Sequence, residues 1–198
     1  KKCIDLRKPM LTASYVTDEI KEYDELAKKA KVPILMELGV DPGIDHMSAM
    51  RVIHRIQEMG GEFLSFNSFT GGLVAPESDN NPWNYKLTWN PRNVVLAGNG
   101  VSQFIQRGRY KYIPYSKLFD RIMMRKILQY GDFEIYSNRD SLKYREIYGL
   151  KDIPSMYRGT IRRPGFAKAW NIFVELGATD DTYTMENSEN MTYRDFIN

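Results

Sequence analysis

One cysteine, Cys3, and two histidines, His46 and His54, are all that 198 residues hold of the strong metal and redox ligands. A single thiol excludes an internal disulfide and suits a reducing, cytoplasmic setting, and with so few imidazoles no metal site is expected. No apolar run reaches the length of a membrane span, and no stretch has the form of a signal peptide. Charge of one sign is lacking as well. The 28 lysines and arginines face 25 acids, and the net charge of +3 is too small for a nucleic-acid surface. The locally basic residues 107–126 read as a solvated face. Also missing is the glycine-rich turn by which dinucleotide-binding folds bring phosphates to the backbone. The one "GNG", Gly98 to Gly100, follows a helical pattern with the wrong spacing and reads as a turn. Should a dinucleotide be used, its main phosphate turn is expected outside this sequence. The absence of an initiating methionine and the polar final stretch suggest a piece of a longer chain.

What is present is punctuated clearly. Residues 9–16, "PMLTASYV", read as a strand, and residues 17–31 as a helix with Thr17 as N-cap, acids in its first turn and lysines in its last. "VPILMELG" follows as a short buried strand, which makes a β-α-β unit with parallel strands. It runs into Asp41, Pro42 and Gly43, a turn, and then into a helix over 45–59 with Asp45 as its N-cap. "EFLSFNSFTGG" and "KLTWN" read as strands flanking a polar, proline-rich loop, and Pro91 opens a short helix. Residues 101–115 alternate around an Arg107-Gly108 turn as two antiparallel strands. Residues 118–129 show the spacing of a basic amphipathic helix. "FEIYSNR" reads as a strand, residues 141–147 as a helix, "MYRGTIRRPG" as a strand, and "FAKAWNIFVELG" as a helix with Gly177 at C′. The fold class expected is α/β: the last β-α-β part of a Rossmann-type domain over 1–47, then a mixed-sheet substrate or dimerisation domain with helices over 48–198.

Three polar stretches carry chemistry. "TASY" ends a strand with hydroxyl groups able to hydrogen-bond a ligand. "SNRDS" sets Arg139 directly after an apolar strand. "RGTIRRPG" places three arginines around one strand, and arginine is the residue for a bidentate grip on carboxylates. Several at strand ends point to an anionic substrate.

"TASYV", "ELGVDPGIDHMSAM", "GGLVAPESDNNPWNYKLTWNPR", "YSNRDSLKYREIYGL" and "RGTIRRPGFAKAWN", taken in order, resemble the saccharopine dehydrogenase family, in its NADP-dependent, glutamate-forming type. The resemblance spans about residues 9–177. It implies interconversion of saccharopine, a secondary amine with three carboxylates, with glutamate and aminoadipate semialdehyde in lysine metabolism. It implies NADP as cofactor, with contacts at Ala13, Ser14, Val40, Asp41, Pro42 and Asn90. Substrate contacts fall on Ser14, Tyr15, Asp41, Arg139, Thr160, Ile161 and Arg162, and Asp41, Tyr15 and His46 are the candidates for guiding the amine proton. Two departures stand out: Arg163 occupies a position where the family often has an aromatic residue, and "NPRNVVLAGNG" is shorter than its usual counterpart. The other readings are a carboxynorspermidine dehydrogenase-like oxidoreductase, disfavoured by the arginine pattern, and a non-catalytic substrate-binding or dimerisation module. A small-molecule substrate is expected, with neither nucleic acid nor membrane as partner, and there is room for a homodimer.

Overall fold

Two short parallel strands, β1 (Met10–Leu11) and β2 (Ile34–Leu35), pair in the register Met10 with Ile34 and Leu11 with Leu35. The computed structural model describes residues 1–81, 83–96 and 100–197, and it divides into two compact units, Lys1–Glu62 and Phe63–Asn198.

The first unit comprises α1 (Lys2–Asp5), β1, α2 (Asp18–Lys21), α3 (Asp24–Ala30), β2 and α4 (Ile44–Glu58). The expected β-α-β is present, but its parts are shorter than the sequence suggests. Residues 9–16 yield a two-residue strand, extended by the Leu38 N–H to Thr12 carbonyl bond. The helix expected over 17–31 is broken in two. Thr17 caps α2 through the Ile20 N–H, and the Tyr23 amide then bonds Ile20, three residues back, so that the regular ladder lapses before α3. Gly43, rather than Asp45, occupies the N-cap position of α4; Asp45 is the second residue of the helix and accepts the Gly43 N–H at 2.9 Å. Gly43 has φ 147°, and a Cβ there would lie 2.1 Å from the Gly39 carbonyl oxygen, so only glycine fits the turn.

The second unit is built on a six-stranded mixed sheet. Its strands are β3 (Phe66–Thr70), β4 (Val101–Gln106), β5 (Arg109–Pro114), β6 (Met123–Ile127), β7 (Gly131–Ser137) and β8 (Met156–Arg162). The order is β5-β4-β8-β7-β6, with β3 parallel to β8 and the other pairings antiparallel. Its helices are α5 (Pro91–Leu96), α6 (Tyr144–Ile147), α7 (Phe166–Glu175) and α8 (Tyr193–Ile197). The β4-β5 hairpin turns on Arg107 and Gly108, at φ 50° and 74°, the two positive angles that a type I′ turn needs. Gly177 closes α7 at φ 70°, with the Gly177 and Ala178 amides bonding the Val174 and Phe173 carbonyls in a Schellman arrangement.

Residues 118–129 are not a helix. Met123–Ile127 forms β6, paired with β7 from Met123 opposite Ile135 to Ile127 opposite Gly131. Leu118 and Phe119, the apolar start of the apparent helix, instead enter the core beside Tyr85, Phe166 and Ala167 from a short turn. The period of the apolar residues was right for a helix, but the free edge of β7 claims the segment's amides, and pairing decides. "KLTWN" is not a strand either. Asn81 binds this loop through its own side chain, donating to the Tyr85 carbonyl at 2.8 Å and accepting from the Trp83 amide at 3.0 Å. Of the helix expected over 141–147 only α6 forms, and in "GNG" Gly98 and Asn99 lie outside the described residues.

Candidate functional site

In the first unit the parallel pairing of β1 and β2 puts their carboxyl ends side by side, the edge at which open α/β sheets hold ligands. Ala13, Ser14 and Tyr15 leave β1 there, and Val40, Asp41 and Pro42 follow β2. The two loops touch closely, since a Cβ on Gly39 would lie 3.0 Å from that of Ala13. The Tyr15 hydroxyl donates to Asp41 Oδ1 at 2.6 Å, and the Ser14 carbonyl accepts the Glu37 amide. Asp45 is buried, with Oδ2 3.8 Å from His46 Nε2. Acid or imidazole atoms of Asp41, Asp45 and His46 all lie within 4.8 Å of one another. The first unit therefore gathers a phenol, two carboxylates and an imidazole, a set suited to passing a proton. Asp45 was read from sequence only as a helix cap; its burial beside His46 depends on the tight Gly39-Gly43 turn.

In the second unit Arg162 ends β8 at 7% exposure. Its guanidinium lies over the rings of Tyr85, Phe166 and Tyr136 at 4.7, 5.1 and 6.0 Å. Its Nη1 donates to the carbonyls of Ile161 at 3.1 Å and Gly72 at 3.4 Å, and its Nε has no hydrogen-bond partner among the described residues. Among the described residues no carboxylate comes within 4 Å of it. Its cross-strand neighbour is Glu134, but Glu134 spends both oxygens on the amides of Gly165 (2.6 Å) and Ala167 (2.9 Å) at the start of α7. A buried cation without an ion-pair partner is costly, so an anion brought by a ligand would be held strongly. Burial raises the pKa of the Tyr136 phenol, and the positive charge of Arg162 partly opposes the rise.

Arg139 follows β7, exposed, at the strained φ of 38°. Its backbone is fixed by β4, for its carbonyl accepts the Gln103 amide at 2.9 Å and the Ser102 hydroxyl at 3.1 Å. Thr160 sits opposite both Tyr136 on β7 and Thr70 on β3. The Ile161 carbonyl is closely approached by Gly71, where a Cβ would come within 2.3 Å of it. Asn90 accepts the Arg92 amide at 3.1 Å, a capping contact at the start of α5. Thus the structure brings Ser14, Tyr15, Asp41 and His46 together in the first unit, and Thr160, Ile161 and Arg162 together in the second. The enclosing residues Tyr85, Tyr136 and Phe166, and the cap Glu134, were not read from sequence. Their only signal was an excess of tyrosine and an acid inside an apolar strand.

The profile of the saccharopine dehydrogenase C-terminal domain matches residues 39–197. The chain belongs to the saccharopine dehydrogenase C-terminal domain family. The chain is 38% identical over 175 residues to the NADP(+), L-glutamate-forming saccharopine dehydrogenase of Schizosaccharomyces pombe, covering 88% of this chain and 39% of that protein. It is 39% identical over 183 residues to the alpha-aminoadipic semialdehyde synthase of Arabidopsis thaliana, covering 91% of this chain and 17% of that protein. The apo structure of the L-Glu-forming saccharopine dehydrogenase from Saccharomyces cerevisiae superposes with a TM-score of 0.80 at 31% identity, over 92% of this chain and 41% of that one. The chain thus spans about two fifths or less of the length of these relatives. Among the described residues no helix is long and apolar enough to cross a membrane.

Proposed function

We propose that this chain is the substrate-binding part of an NADP-dependent oxidoreductase of lysine metabolism, interconverting saccharopine with glutamate and aminoadipate semialdehyde. The observation that carries the reading is Arg162: buried, enclosed by aromatic rings, and without an anionic partner among the described residues. A substrate carboxylate supplies the missing charge, and exclusion of water by the rings strengthens the contact. Arg139 takes a second carboxylate, and Thr160 and Ile161 add polar groups beside Arg162; Ser14, in the first unit, is assigned to the same substrate. By function we assign 1–47 to the end of the dinucleotide-binding domain and 48–198 to the substrate domain, a division by role distinct from the compact units.

The residues at the β1 and β2 carboxyl ends fit one part of NADP. Ala13, Ser14, Val40, Asp41 and Pro42 form a narrow shelf made by the close approach of Gly39 to Ala13, and Asn90 is assigned to the same cofactor. We assign these residues to the nicotinamide end of the cofactor. When bound, NADP exchanges a hydride with the carbon beside the substrate nitrogen. The chain's own residues hold that carbon in place and keep the amine unprotonated. Asp41, which already accepts the Tyr15 hydroxyl at 2.6 Å, takes up the amine proton relayed through that phenol, and His46 exchanges it onward. A cytoplasmic setting and a homodimer belong to the same proposal; the first is supported by the lone free Cys3, the second by exposed Tyr110, Tyr112 and Met124 on β5 and β6, the strands that end the order of the second sheet.

The test is Arg162→Ala and Arg162→Lys in the full-length enzyme. A lost charge-assisted contact costs about 1.5–3 kcal/mol, or roughly ten- to a hundredfold in kcat/KM for saccharopine. Lysine keeps the charge but not the fork, and falls between alanine and wild type. NADPH affinity stays as it was. Wild-type kcat/KM in the alanine variant, or equal losses for cofactor and substrate, would refute the assignment.

A further inference from the structure

We propose that the second unit carries a separate binding site for a small zwitterion, a free α-amino acid in chemical class, between Asp79 and Arg163. The two side chains face each other in a cleft of about 480 Å³ whose walls include Asn84, Gln129 and Tyr130, a size usual for small-molecule sites. They are well enclosed, at 14% and 22% exposure, yet they do not satisfy each other. The closest approach, Arg163 Nε to Asp79 Oδ2, is 3.9 Å, beyond hydrogen-bonding distance. Asp79 Oδ1 is buried and has no hydrogen-bond partner among the described residues. Arg163 makes one long bond, from Nη1 to the Tyr130 carbonyl at 3.4 Å, and lies over the Phe133 ring at 5.0 Å.

A carboxylate and a guanidinium held this way are both short of partners, and a buried acceptor left unmade is among the costlier defects a fold can keep. A ligand with one charge relieves only one of them. An α-amino acid carries ammonium and carboxylate on a single carbon, so it can meet both groups at once: ammonium on the Asp79 carboxylate, carboxylate on the guanidinium fork. Asn84 and Gln129, which also line the cleft, offer further polar groups. The site is distinct from that of Arg162. The two arginines are successive on the chain, but the contacts of Arg162 are Gly72, Tyr85, Tyr136, Phe166 and Ile161, none of which lines this cleft.

Calorimetric titration of the full-length protein with alanine, and with propionate and ethylamine as single-charge probes, tests the proposal. Alanine is expected to bind saturably with a millimolar Kd, and each single-charge probe about tenfold or more weaker, the factor that follows from losing one charge-assisted bond. Asp79→Asn, close to isosteric, and Arg163→Gln each weaken alanine by a similar factor, while Arg163→Lys retains part of the affinity. Arg162→Ala leaves alanine binding within about twofold, since it touches a different set of groups. That arm separates this site from the substrate site, whose failure would show in saccharopine kinetics alone. Absence of alanine binding, equal binding of propionate or ethylamine, full affinity in Asp79→Asn, or one-for-one competition between alanine and saccharopine would each overturn the proposal.

Discussion

Glu134 is the residue whose removal should cost the second unit most for the least change in volume. It lies on β7 at 6% exposure, and both carboxylate oxygens are used, accepting the Gly165 amide at 2.6 Å and the Ala167 amide at 2.9 Å. These are two of the donors that the start of α7 leaves without a helical partner, and the negative charge also suits that end of the helix. Charge-assisted bonds of this kind are worth about 1.5–3 kcal/mol each. Glu134→Gln keeps one oxygen, so one amide must face a side-chain NH₂ donor. Loss of that bond and of the favourable charge comes to about 2–4 kcal/mol. Glu134→Ala abandons both amides and leaves Arg162 without the nearest negative charge on the neighbouring strand, so it should cost more. At about 2–4 °C per kcal/mol, Glu134→Gln corresponds to a fall in Tm of roughly 4–16 °C. All three tryptophans, Trp83, Trp89 and Trp170, lie in the second unit, so tryptophan fluorescence during denaturant and thermal unfolding follows this unit alone. A Glu134→Gln variant within about 0.5 kcal/mol of wild type, or an alanine variant no worse than glutamine, would refute the capping argument.

Burial pushes the Tyr157 phenol up to about 12, against weaker lowering by its hydrogen bond with Ser137 and the charge of Arg125. The unfolded chain releases this proton near the ordinary tyrosine value of about 10, so stability is intact below that pH and falls as pH rises from about 10 to 12, by roughly 2–3 kcal/mol. Tyr157→Phe should flatten that part of the alkaline unfolding curve, leaving a remainder in the same direction from Tyr136; an unchanged slope would count against it. Gly159→Ala should destabilise by about 1–3 kcal/mol, because a Cβ there would lie 2.5 Å from Ile135 Cγ2 and 3.0–3.1 Å from the Tyr157 and Phe69 rings. Equal denaturation midpoints for this variant and wild type would show that β3, β7 and β8 can spread apart more easily than their packing implies.

Signals that act within a few residues were legible in the sequence. Thr17 caps a helix, Arg107 and Gly108 turn a hairpin, Gly177 ends α7, and β1 and β2 pair in parallel, as their local chemistry requires. The arginines after β7 and at the end of β8 stood out for the same reason: residue type and strand position suffice to nominate them as candidates for holding an anion. Pairing and burial were not legible, because both depend on segments far apart in the chain. Residues 118–129 have helical spacing, yet the open edge of β7 makes part of them a strand. Nothing near Arg162 in sequence says that Tyr85, from a loop far upstream, will close over its guanidinium, or that Glu134 on the next strand will be occupied by a helix and unable to pair with it. The sequence determined which groups could bind an anion; the tertiary structure decided which of them is kept dry and unneutralised, since desolvation and the loss of competing partners exist only once distant elements have packed.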